Sequence, residues 1–331
     1  MDAHIFGVIP RPFISVVVPV YNEEGNIRPF LRRITQALGK VGTYEIIFCL
    51  DPCSDRTEEV IEEEIKRNPS VGMLVFSRRF GQPAATMAGI RRCNGEVCVV
   101  IDADLQDPPE LIPVMYEKLQ SGYDVVYAKR RSRKGETMAK LILSHIGYRV
   151  INAVSDVEIP RDTGDFRMMT RRVVEELKKL GESHGFLRGL VGFVGFSHAS
   201  VEYDRRERLS GSGHYNRFMG SLKIGLNGLV GFSNFLLSIS LIAGLVVASA
   251  SFLLIIYIAV SKFYMKLAYP MGVPTIISLI LFIGGVQLVS VGILGEYIGR
   301  IYDEVKRRPK YIVDREVNLK KKLSPLNKVR L

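Results

Sequence analysis

The sequence predicts an α/β domain on a mostly parallel sheet, followed by two transmembrane helices. Three observations carry this prediction. Short β-branched runs alternate with helix-period segments through about residue 215. A polar cluster follows each of the first four strands, where the carboxyl edge of a parallel sheet takes ligands. The C-terminal third then holds two long stretches without formal charge, from Lys223 to Lys262 and from Lys266 to Glu296.

The elements follow in order. "FISVVVPVYNEEGNI" gives a strand at 14–20, a turn, and a helix whose Ile27, Phe30, Leu31, Ile34 and Leu38 share one face. "YEIIFCLDPCSDRTEEVIEEEI" repeats the plan with a strand at 44–50 and a helix rich in Glu at its start, as the helix dipole favours. A strand at 71–76 leads into "SRRFGQPAATMAGI", a fourth runs from Val97 to Ile101, and "YDVVYA" at 123–128 is a fifth. The polar clusters are Tyr21 to Glu24, Asp51 to Asp55, Arg78 to Gln82 and Asp102 to Asp107.

"VVIDADLQDPPE" is the most informative stretch. If the strand's period of two continues, Asp102, Asp104 and Gln106 point the same way. Two carboxylates side by side are costly without a cation, and hard oxygen donors favour Mg²⁺ or Mn²⁺. Asp107, ahead of Pro108 and Pro109, reads equally well as the start of a helix.

Each charge-free stretch reaches the roughly 20 residues that cross a bilayer core. The first divides near Gly231, Ser233 and Asn234 into an interfacial helix at 216–230 and a crossing at about 233–260. The second crossing is expected at about 272–298, where Gly284, Gly285, Gly292 and Gly295 suit helix packing. A buried helical hairpin is the competing assignment, and it lacks the solvated face such a hairpin needs. The 261–271 loop carries only Lys262 and Lys266, whereas nine lysines and arginines lie between Arg300 and Lys322. The positive-inside rule then puts both termini and the α/β domain in the cytoplasm of an inner-membrane protein, with 301–331 as a basic tail.

The formal charge of +11 suits anionic lipid or phosphate substrates, and no nucleic-acid motif accompanies it. Arg11 and Pro12 interrupt any signal-peptide run. Cys49, Cys53, Cys93 and Cys98 lack zinc spacing and read as reduced thiols. An amphipathic helix at about 138–155, with Ile142, Ile146, Val150 and Val154 in one stripe, follows the basic run Lys129 to Lys134 and suits the membrane interface. A solvated charge run beside a core helix is the plainer reading of the same segment.

"SVVVPVYNEE", "LDPCSDRT", "DADLQDPPE", "DTGDFRMMTRR" and "YDRRERLSGSGHY" together resemble the family 2 glycosyltransferases of GT-A fold, over about residues 13–315. Among these the chain is most similar to polyprenyl-phosphate glycosyltransferases, the group of dolichol-phosphate mannosyltransferase and the bacterial GtrB-type glucosyltransferases. The resemblance implies a GT-A, Rossmann-like catalytic domain in which Asp102, Asp104 and Gln106 hold the metal and Ala103 separates the two aspartates at the donor. It further implies that Pro19, Tyr21 and Glu23 cradle the nucleotide, that Asp51 reads the base, and that Arg130 meets a phosphate. Asp165 corresponds to an acidic residue near the acceptor; the competing assignment is the cap of a helix starting near Met168. Lys140, His145 and Arg149 are further candidates along the lipid approach.

Two departures from the family pattern stand out. Asp51–Pro52–Cys53 replaces a D-G-S run, and His214 stands where the R-x-x-G-x-S-K-Y pattern, here beginning at Arg208, has lysine. Arg208 and His214 are expected near the donor diphosphate, where cationic groups stabilise the leaving oxygen. The expected reaction is inverting transfer of a hexose, with UDP-glucose as donor and undecaprenyl phosphate as acceptor. GDP-mannose with dolichyl phosphate is the nearest variant. A processive synthase is disfavoured, since the Q-x-x-R-W signature of those enzymes needs a tryptophan and the chain has no Trp. A non-catalytic oligomeric lipid carrier or channel component is the alternative of another class, and it has no use for the paired Asp102 and Asp104. Membrane lipid and a homo-oligomer, with four chains as the working number, complete the expected partners.

Overall fold

The computed structural model describes residues 12–131, 163–181, 187–204 and 272–319, with isolated helical positions at Ser240, Ile242, Val246, Ser249 and Leu253. The expected interfacial helices at 138–155 and 216–230 lie outside the described residues, as does all of the first crossing except those isolated positions.

The strands are β1 (Ile14–Val20), β2 (Tyr44–Leu50), β3 (Val71–Phe76), β4 (Val97–Val100), β5 (Val125–Arg130), β6 (Thr163–Thr170), β7 (His198–Tyr203) and β8 (Val313–Val317). The helices are α1 (Glu24–Leu38), α2 (Thr57–Arg67), α3 (Gln82–Arg92), α4 (Ile112–Gln120), α5 (Arg171–Lys179), α6 (Leu187–Val194) and α7 (Val273–Lys306). One eight-stranded sheet runs β7-β5-β6-β4-β1-β2-β3-β8. The pairs β1–β2, β1–β4, β2–β3 and β5–β7 are parallel, and β6 and β8 enter antiparallel. The sheet is therefore mixed with mostly parallel strands.

Side-chain alternation splits the core across the two faces. Val16, Val18 and Val20 of β1 join Ile27, Phe30 and Ile34 of α1 and Ile112 and Met115 of α4 on one side. Val17 and Cys49 join Met87 and Ile90 of α3 and Val173 and Val174 of α5 on the other. Contact is tight at Gly89, where a Cβ would stand 2.3 Å from a Val17 methyl and 2.7 Å from the Cys49 sulfur. All four cysteines are free thiols.

Topology positions the site. The chain winds β1, β2, β3 outward, then returns to place β4 on the opposite side of β1. Ligands of open α/β sheets bind at such a reversal, beyond the carboxyl ends of the two strands, because the two connections leave in opposite directions. Tyr21–Glu24 and Asp102–Asp107 are the segments that leave those two ends.

Two sequence expectations are corrected here. The segment expected to begin a helix near Met168 is strand β6 up to Thr170, and the helix starts at Arg171. Arg167, wholly buried within that strand, interrupts the apolar pattern by which a strand is recognised. The stretch expected only as a basic tail contributes β8, which pairs antiparallel with β3 and closes that edge. Asn318 secures it, donating to the carbonyls of Pro69 at 3.0 Å and Val71 at 2.7 Å. Arg315 adds ion pairs to Glu58 and Glu62, and Arg92 pairs with Glu316 at 2.8 Å.

The segment expected as the second crossing is helical, and the helix is longer than expected. α7 has 34 residues, about 51 Å at 1.5 Å per residue, against a bilayer core of about 30 Å. Leu288, Val289, Ile298 and Ile301 are exposed, a burden of apolar surface that water does not favour and lipid does. The helix ends where Arg307 turns left-handed (φ 49°) and its N–H bonds the Glu304 carbonyl at 3.1 Å, two residues before Pro309.

Candidate active site

Strand registers bring the candidate residues to one edge. Val100 of β4 faces Arg167 of β6, so two residues further along the pair Asp102 and Asp165 come beside each other. Lys129 of β5 faces Thr163 of β6, and Arg130 pairs with Tyr203 of β7. Asp102, Asp165, Arg130 and Tyr203 thus converge from separate strand ends.

The row of aspartates is not a continuation of the strand. β4 ends at Val100, and Leu105 adopts φ 59°, so residues 102–107 form a turn. The cause is local: the Gln106 N–H donates to Asp104 Oδ1 at 3.1 Å, an aspartate turn that competes with the ladder. Alternating exposure nonetheless survives. Ala103 and Leu105 plug the core at 2% and 1% exposure, leaving Asp102, Asp104 and Gln106 partly open between them.

Asp102 accepts from Gln82 Nε2 at 2.9 Å. Burial, followed by the charges of Asp165, Asp104 and Asp107, pushes its carboxyl well above the usual range. Among the described residues no cluster of three His, Cys, Asp or Glu side chains is placed to hold a metal. Asp102 and Asp104 with the Gln106 amide form a smaller, all-oxygen set, the kind that binds Mg²⁺ or Mn²⁺ while leaving positions for phosphate oxygens. The crowded negative charge on Asp102 is what a divalent cation would offset, so these residues fit one.

Asp165 is held differently. Its Oδ1 accepts from Arg188 Nε at 3.0 Å and from Arg167 Nη2 at 3.2 Å. Burial acts to raise its carboxyl, but Arg188 and Arg167 outweigh it and hold the group below its ordinary value. It caps no helix, since it lies within β6. Arg167 itself is lowered by its complete burial.

Asp107, expected as a turn or helix start, is a buried partner to two side chains. Tyr203 Oη donates to its Oδ1, and Arg130 Nη2 lies 3.8 Å from the same oxygen. No side chain caps the short 3₁₀ turn, Pro109–Leu111, that follows. Arg130 also donates from Nε to Tyr203 Oη at 3.3 Å. Burial would lower the Arg130 guanidinium, yet Asp107 and Tyr203 raise it, so it stays charged.

At the ends of β1 and β2 the candidates mostly hold loops together. Both oxygens of Asp51 accept backbone N–H groups, of Phe80 and of Gly81, each at 2.9 Å. Any base contact by Asp51 shares the carboxylate with that loop. Pro19 is buried in β1, and Tyr21 lies under the Arg79 guanidinium, 3.9 Å from the ring centre. The Glu23 N–H donates to Thr57 Oγ1 at 2.8 Å, while its carboxylate accepts from Asn26. Cys53, at the departure from D-G-S, accepts the Asn22 N–H at 3.2 Å, and burial raises its thiol to about 11.

Arg208, His214, Lys140, His145 and Arg149 lie outside the described residues. Sequence reasoning missed Arg188, which carries no local motif, and Tyr203, which opens the quoted "YDRRERLSGSGHY" without being singled out. Gly164 was missed as well: a Cβ there would stand 3.1 Å from Arg130 Nη2.

Known proteins resemble this chain over most of its length. The model of "Glycosyl transferase family 2" matches residues 15–178, which end within α5. The uncharacterized glycosyltransferase YkcC of Bacillus subtilis (strain 168) is 42% identical over 93% of this chain and 95% of its own. The SfII prophage-derived bactoprenol glucosyl transferase of Shigella flexneri is 41% identical over 91% of this chain and 97% of its own. Among solved structures, the mannosyltransferase PcManGT of Pyrobaculum calidifontis, in complex with GDP-Man and Mn²⁺, is 18% identical with a TM-score of 0.46, covering 66% of this chain and 64% of that one. Full-length identity at this level leaves no room for a borrowed motif, and the chain belongs to glycosyltransferase family 2.

Proposed function

We propose that the protein transfers glucose from UDP-glucose to undecaprenyl phosphate in a single in-line displacement with inversion, at the cytoplasmic face of the membrane. The observation that supports this best is the convergence of Asp102, Asp104, Asp165 and Arg130 at one sheet edge in a chain 41% identical to a bactoprenol glucosyl transferase over 91% of its length.

Asp102, Asp104 and Gln106 would hold Mg²⁺ or Mn²⁺, which neutralises charge developing on the departing diphosphate. Tyr21 and Glu23 stand beside the donor, with Asp51 supporting the loop that reaches it. Arg208 and His214 complete the cationic lining in this reading. The acceptor phosphate is already anionic, so it needs orientation rather than deprotonation. Arg130, charged and partly open, takes that role. Asp165 stays ionised between Arg188 and Arg167, fixing two cations beside the acceptor.

The tail supports the topology. β8 is hydrogen-bonded into the catalytic sheet directly after α7, so the catalytic domain and the C-terminal end of α7 share one side of the bilayer. The basic residues beyond Arg300 favour the cytoplasm as that side in this reading.

The test uses purified full-length protein, undecaprenyl phosphate, Mg²⁺ or Mn²⁺, and a panel of labelled nucleotide sugars. Glucosyl lipid from UDP-glucose is expected, with at least a hundredfold loss in Asp104→Asn. Transfer from GDP-mannose alone would replace the substrate assignment, and no transfer from any donor would favour a non-catalytic lipid carrier.

A further inference from the structure

We infer that Tyr203 and Asp107 are positioning residues that set the direction of the Arg130 guanidinium for a phosphate. The inference rests on the reading of Arg130 as a contact of the acceptor phosphate. Its basis is a relay across three chain segments. Tyr203 Oη accepts from Arg130 Nε at 3.3 Å and donates its own proton to Asp107 Oδ1. Asp107, 3% exposed, also lies 3.8 Å from Arg130 Nη2. One edge of the guanidinium is thereby held, and the remaining N–H groups make no hydrogen bond to the described residues.

Space enforces the arrangement. A Cβ at Gly164 would meet Arg130 Nη2 at 3.1 Å and Asp107 Oδ2 at 3.7 Å, so the backbone of β6 forms a floor under the pair. The Tyr203 side chain is anchored in the core and 5% exposed, which limits the rotamers open to its hydroxyl. An arginine side chain is long and rotamer-rich, and fixing it beforehand removes an entropy cost that binding would otherwise carry. Such a device acts first on the affinity for the anion that Arg130 meets.

The relay also explains the proton's location. Burial and the neighbouring Asp107 raise the Tyr203 hydroxyl above its ordinary value, so the group remains a donor to the carboxylate through the working pH range. Arg130 Nε therefore meets a tyrosine lone pair and Nη2 faces Asp107, and the guanidinium N–H groups with no hydrogen bond to the described residues are the ones offered to an incoming phosphate oxygen.

The experiment measures initial rates of the full-length protein with UDP-glucose and undecaprenyl phosphate, each varied in turn. Tyr203→Phe keeps the ring and removes the hydroxyl. It is expected to raise the acceptor KM roughly 5- to 10-fold while the donor KM stays within about twofold, and saturating acceptor recovers most of the rate. Asp107→Asn keeps the oxygen that accepts from Tyr203 and removes the charge, and is expected to give the same selective rise. Arg130→Gln should raise the acceptor KM about 10- to 100-fold, and adding Tyr203→Phe to it should change nothing further. A raised acceptor KM in Arg130→Gln with none in Tyr203→Phe overturns the positioning role while the Arg130 reading stands. Fully additive effects in the double variant overturn it as well. An unchanged acceptor KM in Arg130→Gln overturns the underlying reading, and a rise confined to the donor KM assigns the phosphate to the nucleotide sugar.

Discussion

Arg188 Nε donates to Asp165 Oδ1 at 3.0 Å, across the space between α6 and β6. Arg167 approaches the same oxygen from within the strand at 3.2 Å. A single carboxylate thus compensates two guanidinium groups, one of them wholly buried.

This makes Asp165 a stability determinant with a defined pH sign. Its folded pKa is depressed, so its contribution is complete above the unfolded value of about 3.9 and is lost as pH falls through the folded value. Asp165→Asn leaves Arg167 buried without its counter-charge, an expected loss of about 3 kcal/mol at neutral pH. Thermal melts from pH 3 to 7 should show the variant less stable at neutrality and with a shallower acid limb. Equal melting temperatures at pH 7 would overturn the assignment.

Asp102 carries the opposite sign. Its folded pKa is raised by burial and three carboxylates, so cation-free stability falls as pH rises from the unfolded value through the folded one. Mn²⁺ should raise the melting temperature more at pH 8 than at pH 5, because protons compete for the ligand. Asp102→Asn should abolish the Mn²⁺-dependent rise and increase stability of the cation-free protein at pH 8. A Mn²⁺ effect retained in the variant would place the ion elsewhere.

Asp51 ties the loop between β3 and α3 to β2 through two backbone N–H groups. Asp51→Ala orphans both donors, and the expected cost is about 2–4 kcal/mol, because hydrogen bonds to charged acceptors are the stronger kind. The donor KM should rise with it, since Arg79 on that loop stacks over Tyr21. Hydrogen exchange at Phe80 and Gly81 is the direct measure, and protection equal to wild type would contradict the tie.

Asn318 fastens the strand that follows the long apolar helix α7. Asn318→Ala removes donors to Pro69 and Val71 and should destabilise by about 1–3 kcal/mol. Deleting residues 313–331 should expose the β3 edge and promote aggregation in detergent, which size-exclusion profiles would report. A monodisperse, fully active truncation would make β8 dispensable.

The strands β1 to β5 were legible because each is a short apolar run, and the site's acidic turn was legible because polar residues follow such a run at a parallel sheet's carboxyl edge. The long apolar helix α7 was legible from its missing charges. β8 was not: "VDREV" is charged and short, as edge strands are, and its partner residues lie as far as 257 positions earlier. β6 escaped for a related reason, since Asp165 and the buried Arg167 interrupt its apolar pattern.

What the amino-acid sequence determined by itself was therefore local: periodicity, charge-free length, and which residue types leave each strand. Tertiary structure decided the pairings. Only antiparallel entry of β6 sets Asp165 beside Asp102, and only β7 alongside β5 sets Tyr203 against Arg130. Neighbouring positions share a backbone geometry that sequence pattern reports. Register between distant strands is chosen by packing and hydrogen bonding of the whole sheet, and the aspartate turn after β4 is what those forces leave open to a ligand.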